Sequence, residues 1–88
     1  MPSFNVSYDL HSPNANYDAL FKELKKCSGW YHCLKSTWLV STTESAGQLY
    51  ERLRKVLKVS DRLLVIGVTK EHQGWLPKSA WEWINRHS

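Results

Sequence analysis

No apolar stretch in the chain approaches the roughly 20 residues needed to cross a bilayer as a helix. Nor does it open on the basic, apolar and small-residue succession of a secretory leader. The expectation is a soluble, cytoplasmic protein that does not engage a membrane. Cysteine is scarce: Cys27 and Cys33 have neither CxxC spacing nor a histidine pair at zinc-finger intervals. Both are read as reduced, mostly buried thiols. Three prolines and four glycines punctuate the chain, and no repeat, low-complexity run or linker divides it. Residues 1–88 therefore form a single domain, able to bury one modest core and favoured by tight packing or self-association.

What the chain does have is aromatic surface and a mild excess of positive charge. Five tryptophans and four tyrosines are more than one small core easily hides, so some belong to an interface or a binding surface. Twelve Lys and Arg against eight Asp and Glu leave a formal charge of +4, which favours phosphate-bearing partners electrostatically without demanding them.

Alternation organises the first segment. In Ser3 to Leu10, Phe4, Val6 and Tyr8 share one side of a strand, and Asn5, Ser7 and Asp9 share the other. A turn-rich stretch ending at Asn16, a suitable helix cap, precedes Tyr17, Leu20, Phe21, Leu24 and Cys27 at helical spacing, which predicts a helix over about 17–27. The aromatic and β-branched run from Trp30 to Thr42 is too long for one average strand and splits at Lys35-Ser36 into a hairpin. Ser45 to Gln48 fits a capping box ahead of a second apolar stripe through Leu49, Leu53 and Leu57. Asp61 to Thr69 is a continuous apolar run of the kind found in buried strands. Pro77 then opens a helical tail over about 77–86.

The succession is β-α-β-β-α-β with a helical tail: an α+β, ferredoxin-like fold. Right-handed crossovers give a four-stranded antiparallel sheet of order 4-1-3-2, with two helices on one face and the other face open. Asn5, Ser7 and Asp9 would project from that open face. The same topology gathers Asp9, the Lys35-Ser36-Thr37 turn, Ser60-Asp61 and the start of the first helix at one end of the sheet. The helix start favours a phosphate, Lys35 adds charge, and Ser36 and Thr37 add hydroxyl donors.

Each candidate has two readings. Asp9 either caps the following turn or binds Mg²⁺, for which a two-fold dimer would supply a second carboxylate. His11 is either an exposed turn residue or a general acid–base group. Trp30 and Trp38 either pack or stack nucleic-acid bases. Arg52, Arg54, Lys55 and Lys58 are either a solvated helix face or a track for a phosphate backbone. Trp75, Trp81 and Trp83 belong to a short amphipathic tail that lies across either the sheet or a partner subunit, and an interface is expected there.

The strand ending Ser7-Tyr8-Asp9, the helix beyond a proline-containing turn, and Lys35-Ser36-Thr37-Trp38-Leu39-Val40 together resemble a known group. It comprises the small CRISPR-associated spacer-acquisition subunit, virulence-associated protein D and the SinR-like proteins. The SinR-like branch is the nearest in pattern, over Pro2 to about Trp83. The resemblance implies a ferredoxin-like homodimer in which Asp9 binds a divalent metal, Mg²⁺ or Mn²⁺ in its place, for phosphodiester cleavage. Ser36 corresponds to the serine that opens the third strand in that group.

The function expected is a nucleic-acid-handling protein with metal-dependent endoribonuclease activity. Asp9 and His11 would be catalytic, and Ser7, Lys35, Ser36, Thr37, Trp38, Arg52 and Lys55 would hold phosphate or RNA. The alternatives are a non-catalytic RNA- or nucleotide-binding module and one half of a toxin–antitoxin pair.

Overall fold

The computed structural model describes residues 2–11, 17–69 and 73–87. The expected Asn16 cap and the loop residue His72 lie outside them. The elements are β1 (Ser3–Asp9), α1 (Tyr17–Leu24), β2 (Gly29–Leu34), β3 (Thr37–Ser41), α2 (Ala46–Arg54), β4 (Arg62–Gly67) and α3 (Lys78–His87). One antiparallel sheet of order β2-β3-β1-β4 results, which read from its other edge is 4-1-3-2. The architecture is α+β, a four-stranded sheet with three helices. Among the described residues no helix is long and apolar enough to cross a membrane.

The alternation in β1 becomes burial. Phe4, Val6 and Tyr8 turn toward α1 and α2 and join Leu20, Leu24, Trp38, Val40, Leu49 and Leu53 in the core. The capping box of α2 forms as its residues require: the Gln48 amide donates to Ser45 Oγ at 3.1 Å, and the Ser45 amide donates to Gln48 Oε1 at 2.9 Å. α1 is shorter than its apolar spacing suggests. After Leu24 the amides of Lys26 and Cys27 reach back only three residues, to Glu23 and Leu24, so the stripe continues to the buried Cys27 in a tightened turn. Cys27 and Cys33 are free thiols, and burial raises the pKa of both.

Two expectations are corrected. The apolar run of β4 reads as a buried strand, yet β4 is an edge. Leu63 and Val65 pack toward the helices, while Leu64 and Ile66 are 54% and 53% exposed on the opposite face. The face expected to be open is also partly covered. Ser3, Ser41, Gly29 and Tyr31 point away from α1 and α2, and there Ser3 Oγ donates to the His87 carbonyl at 2.9 Å while Tyr31 Oη lies 2.8 Å from Ser79 Oγ. Ala80 and Ile84 of α3 are buried on that side, and so is Leu39. Of the tail tryptophans, Trp81 and Trp83 are half-buried, whereas Trp75 is fully exposed.

Arg52 belongs to the fold rather than to a solvated basic stripe. Its Nε and Nη2 donate to the two carboxylate oxygens of Glu44, each at 2.9 Å, and its Nη1 donates to the Glu23 carbonyl at 2.6 Å. Nη1 also meets Glu23 Oε1 at 3.2 Å, and Nη2 donates to Cys27 Sγ at 3.3 Å. One guanidinium thus ties the end of α1 and the approach to α2 onto α2, and its planar fork suits that task better than an ammonium. This hydrogen bonding holds the Glu44 carboxyl below its ordinary value of 4.5. Glu23 is lowered as well, first by Lys26 and then by Arg52.

A group whose folded pKa is depressed stabilises the fold above its unfolded value and loses that contribution as pH falls through the folded one. Arg52→Ala should therefore cost about 2 kcal/mol at neutral pH. The difference from wild type should shrink as the pH falls below the ordinary carboxylate value of 4.5 and through the lowered folded values, where the carboxylates protonate. Urea denaturation followed by tryptophan fluorescence at neutral and at acid pH checks this; equal midpoints at neutral pH would show that the network adds nothing.

Candidate functional site

Antiparallel pairing on both sides of β1 builds one end of the sheet. Asp9 stands opposite Arg62, the first residue of β4, and Ser7 stands opposite Thr37, the first residue of β3. The hairpin turn is bound onto β1: the Tyr8 amide donates to the Ser36 carbonyl at 3.1 Å, and Tyr8 Oη donates to the Lys35 carbonyl at 3.4 Å. Ser7 Oγ donates to Asn5 Oδ1 at 2.8 Å and lies 3.3 Å from Thr37 Oγ1.

Past the end of β1 the chain is fastened by two carboxylates. His11 Nε2 donates to Asp9 Oδ2 at 2.9 Å, which leaves Nδ1 as the basic nitrogen of the ring. The His11 amide donates to Asp61 Oδ1 and the Lys58 amide to Asp61 Oδ2, both at 3.0 Å. Asp61 thereby joins the turn after α2 to the segment after β1. Arg62 is steadied in turn by the carbonyls of Asp61 at 3.2 Å and Val59 at 3.4 Å.

Beside these groups lies a shallow cavity of about 280 Å³ lined by Ser7, Tyr8, Asp9, Arg62, Leu63 and Leu64. The Asp9 and His11 side chains are 71% and 56% exposed, so solvent reaches both. Burial pushes the Tyr8 phenol up, opposed by the Trp38 indole that donates to it, so Tyr8 remains a neutral donor near pH 7. An Asp–His pair of this kind can orient an imidazole for general acid–base chemistry.

For a divalent metal the donor set is thin. Among the described residues no three His, Cys, Asp or Glu side chains are grouped to hold an ion. Asp9 and His11 offer two ligands, which suits Mg²⁺ only where water and substrate oxygens complete the shell.

The sequence-derived candidates thus divide. Asp9, His11, Ser7, Lys35, Ser36 and Thr37 meet at one end of the sheet. Trp38 is near them in the chain but is withdrawn from any ligand: it is 1% exposed, its ring stacks on His32 at 4.4 Å, and its Nε1 donates to Tyr8 Oη at 3.1 Å. Trp38 is a core residue, not a base-stacking platform. Arg52 is likewise withdrawn, since its donors are spent on Glu44, Glu23 and Cys27. Lys55 is exposed and lies further along, between α2 and β4.

Arg62 is the residue that sequence reasoning missed. Its signal in the topology was coarse: β4 runs antiparallel to β1, which brings the start of β4 to the end of β1, while the pairing of Arg62 with Asp9 is set by the register.

No protein-family model, curated protein or solved structure matches this chain. The geometry of the site and the residue pattern therefore carry the functional reading.

Burial of Trp38 makes a direct prediction. Trp38→Ala should cost about 3–5 kcal/mol, comparable with the whole stability of a small domain. Trp38→Phe should cost less, since it keeps most of the ring packing and gives up the hydrogen bond to Tyr8. Chemical denaturation distinguishes them, and a wild-type midpoint for Trp38→Ala would make the ring available for binding once more.

Proposed function

We propose that this chain is a ferredoxin-like, cytoplasmic, homodimeric protein that handles nucleic acid and cleaves RNA phosphodiesters at the Asp9 end of its sheet. The observation that carries the reading is the accessible Asp9–His11 pair, with Oδ2 and Nε2 2.9 Å apart, at the point where Arg62 and the Lys35-Ser36-Thr37 turn converge. The fold name rests on the strand order 4-1-3-2 with α1 and α2 on one face. The dimer is supported by Leu64 and Ile66, half exposed on β4 on the face away from α1 and α2, with Leu64 bordering the Asp9 cavity.

In this reading a phosphate enters beside Arg62 and Lys35, whose positive charges offset its own. His11 Nδ1 takes the proton from the attacking 2′-hydroxyl while Asp9 holds the ring; as the new P–O bond forms, the bond from phosphorus to the 5′-oxygen breaks and water protonates the departing oxygen. Ser7, Ser36 and Thr37 border the same end and offer hydroxyl groups to phosphate oxygens. Asp9 is also the carboxylate that would hold Mg²⁺ or Mn²⁺, which when bound would neutralise phosphate charge and lower the pKa of a bound water. A carboxylate engaged with a metal would hold His11 less firmly, so the two uses are separable.

The test is cleavage of labelled single-stranded RNA by wild type, Asp9→Asn and His11→Ala, each with Mg²⁺, with Mn²⁺ and with chelator. His11→Ala should slow cleavage by about 10²–10⁴-fold if it is the acid–base group. Loss of activity in chelator together with loss in Asp9→Asn would assign Asp9 to the metal. Folded wild type that binds RNA and leaves it intact under every condition would make this a non-catalytic binding module.

The dimer carries its own expectation. Light scattering should give twice the chain mass for wild type and a monomer for Ile66→Glu; a monomeric wild type would overturn the dimer.

A further inference from the structure

Between the C-terminal end of α2 and β4 runs a trough of about 590 Å³, lined by Tyr50, Arg54, Lys55, Lys58, Asp61 and Arg62 among others. Arg54, Lys55, Lys58 and Arg62 are all exposed, and among the described residues of the lining Asp61 alone is acidic. Both oxygens of that carboxylate already accept backbone amides, from His11 and Lys58, which spreads part of its charge into the loop. Four cations thus converge on a concave surface in which the carboxylate is engaged locally. Arg62 is held in place by the Val59 and Asp61 carbonyls.

Arg62 also lines the Asp9 cavity. So does Leu63, and the trough and the cavity are therefore neighbours that share the start of β4. Arg62 has Asp9 as its cross-strand partner and shares the trough with Arg54 at the end of α2. Arg52, which precedes these cations on α2, is turned away into its network with Glu44 and Glu23, so the basic track begins beyond it.

We propose that this trough is a phosphate-backbone track that carries single-stranded RNA past Lys55 and Lys58 to Arg62 and so delivers a phosphodiester to the Asp9 end. The inference rests on the nucleic-acid reading above and adds the path of the strand. Cations set along a groove bind a polyanion chiefly by releasing its counterions, so the affinity depends on salt in proportion to the phosphates neutralised. Lys55 and Lys58 contribute charge without base contacts, and the track is indifferent to base sequence.

The experiment is fluorescence anisotropy of a labelled single-stranded RNA over a series of salt concentrations. It uses wild type, Lys55→Gln/Lys58→Gln, and a charge-matched control, Lys22→Gln/Lys78→Gln, altered outside the trough. Circular dichroism confirms that each is folded. The trough variant should bind more weakly, and the slope of log affinity against log salt should fall by about 0.7 for each phosphate that is no longer neutralised. The control should keep the wild-type slope. Equal losses in both variants would show that only net charge matters and would overturn the track, as would an unchanged slope in the trough variant. Wild type that binds no RNA at low salt would overturn the nucleic-acid reading itself along with the track. A same-length DNA strand distinguishes the sugar: equal slopes are expected, because the track engages phosphate, and a salt dependence seen with RNA alone would overturn a purely phosphate track.

Discussion

The two-residue period of β1, clamped on both sides by antiparallel neighbours, is the constraint from which the rest of the structure follows. Phe4, Val6 and Tyr8 are buried on the helix side, so Asn5, Ser7 and Asp9 must emerge on the other. A slip of one residue would send Tyr8 to solvent and Asp9 beneath α1, at the cost of a buried charge and an exposed aromatic core. Pairing with β3 and β4 at once makes that slip doubly unfavourable. The same register sets Ser7 beside Thr37 and Asp9 beside Arg62.

Tyr8 transmits this order to the hairpin. Its ring packs near Tyr17 and Phe21, its hydroxyl accepts from the Trp38 indole, and that hydroxyl donates in turn to the Lys35 carbonyl. Phe21, His32 and Trp38 extend the aromatic cluster from α1 to β2. Of the two tryptophans that looked available for base stacking, Trp38 is spent here, while Trp30 stays 42% exposed. The result is a rigid floor beneath the sheet end, above which the exposed Asp9–His11 pair is free to meet solvent.

Charge is divided between two tasks. Arg52 closes a partly buried network near the end of α1, where removing one partner would strand the carboxylates it satisfies. Arg54, Lys55, Lys58 and Arg62 stand in the trough, where exposure leaves them able to exchange water and counterions for a ligand. Neighbours in the chain thus serve different ends, because successive helical positions point about 100° apart and meet different surroundings.

Local pattern by itself determined the order of elements, the alternation in β1, the capping box at Ser45, the hairpin break at Lys35-Ser36 and the tail helix after Pro77. Each of these depends on residues a few positions apart, whose spacing acts on the backbone directly. Topology then brought Asp9, the hairpin turn and Asp61 to one end, so the place of the candidate site was legible too. Only the tertiary structure decided which side chains remain there. Trp38 is lost to the core because Tyr8, Phe21 and His32 surround it, and Arg52 is lost to carboxylates on α1 and before α2. α3 settles on the side of the sheet away from α1 and α2, where Ser3 and Tyr31 bond to it and Leu39, Ala80 and Ile84 are buried, while the run 63–66 in β4 stays half exposed at an edge. Burial and pairing at these positions depend on residues tens of positions away, and no local period encodes that distance.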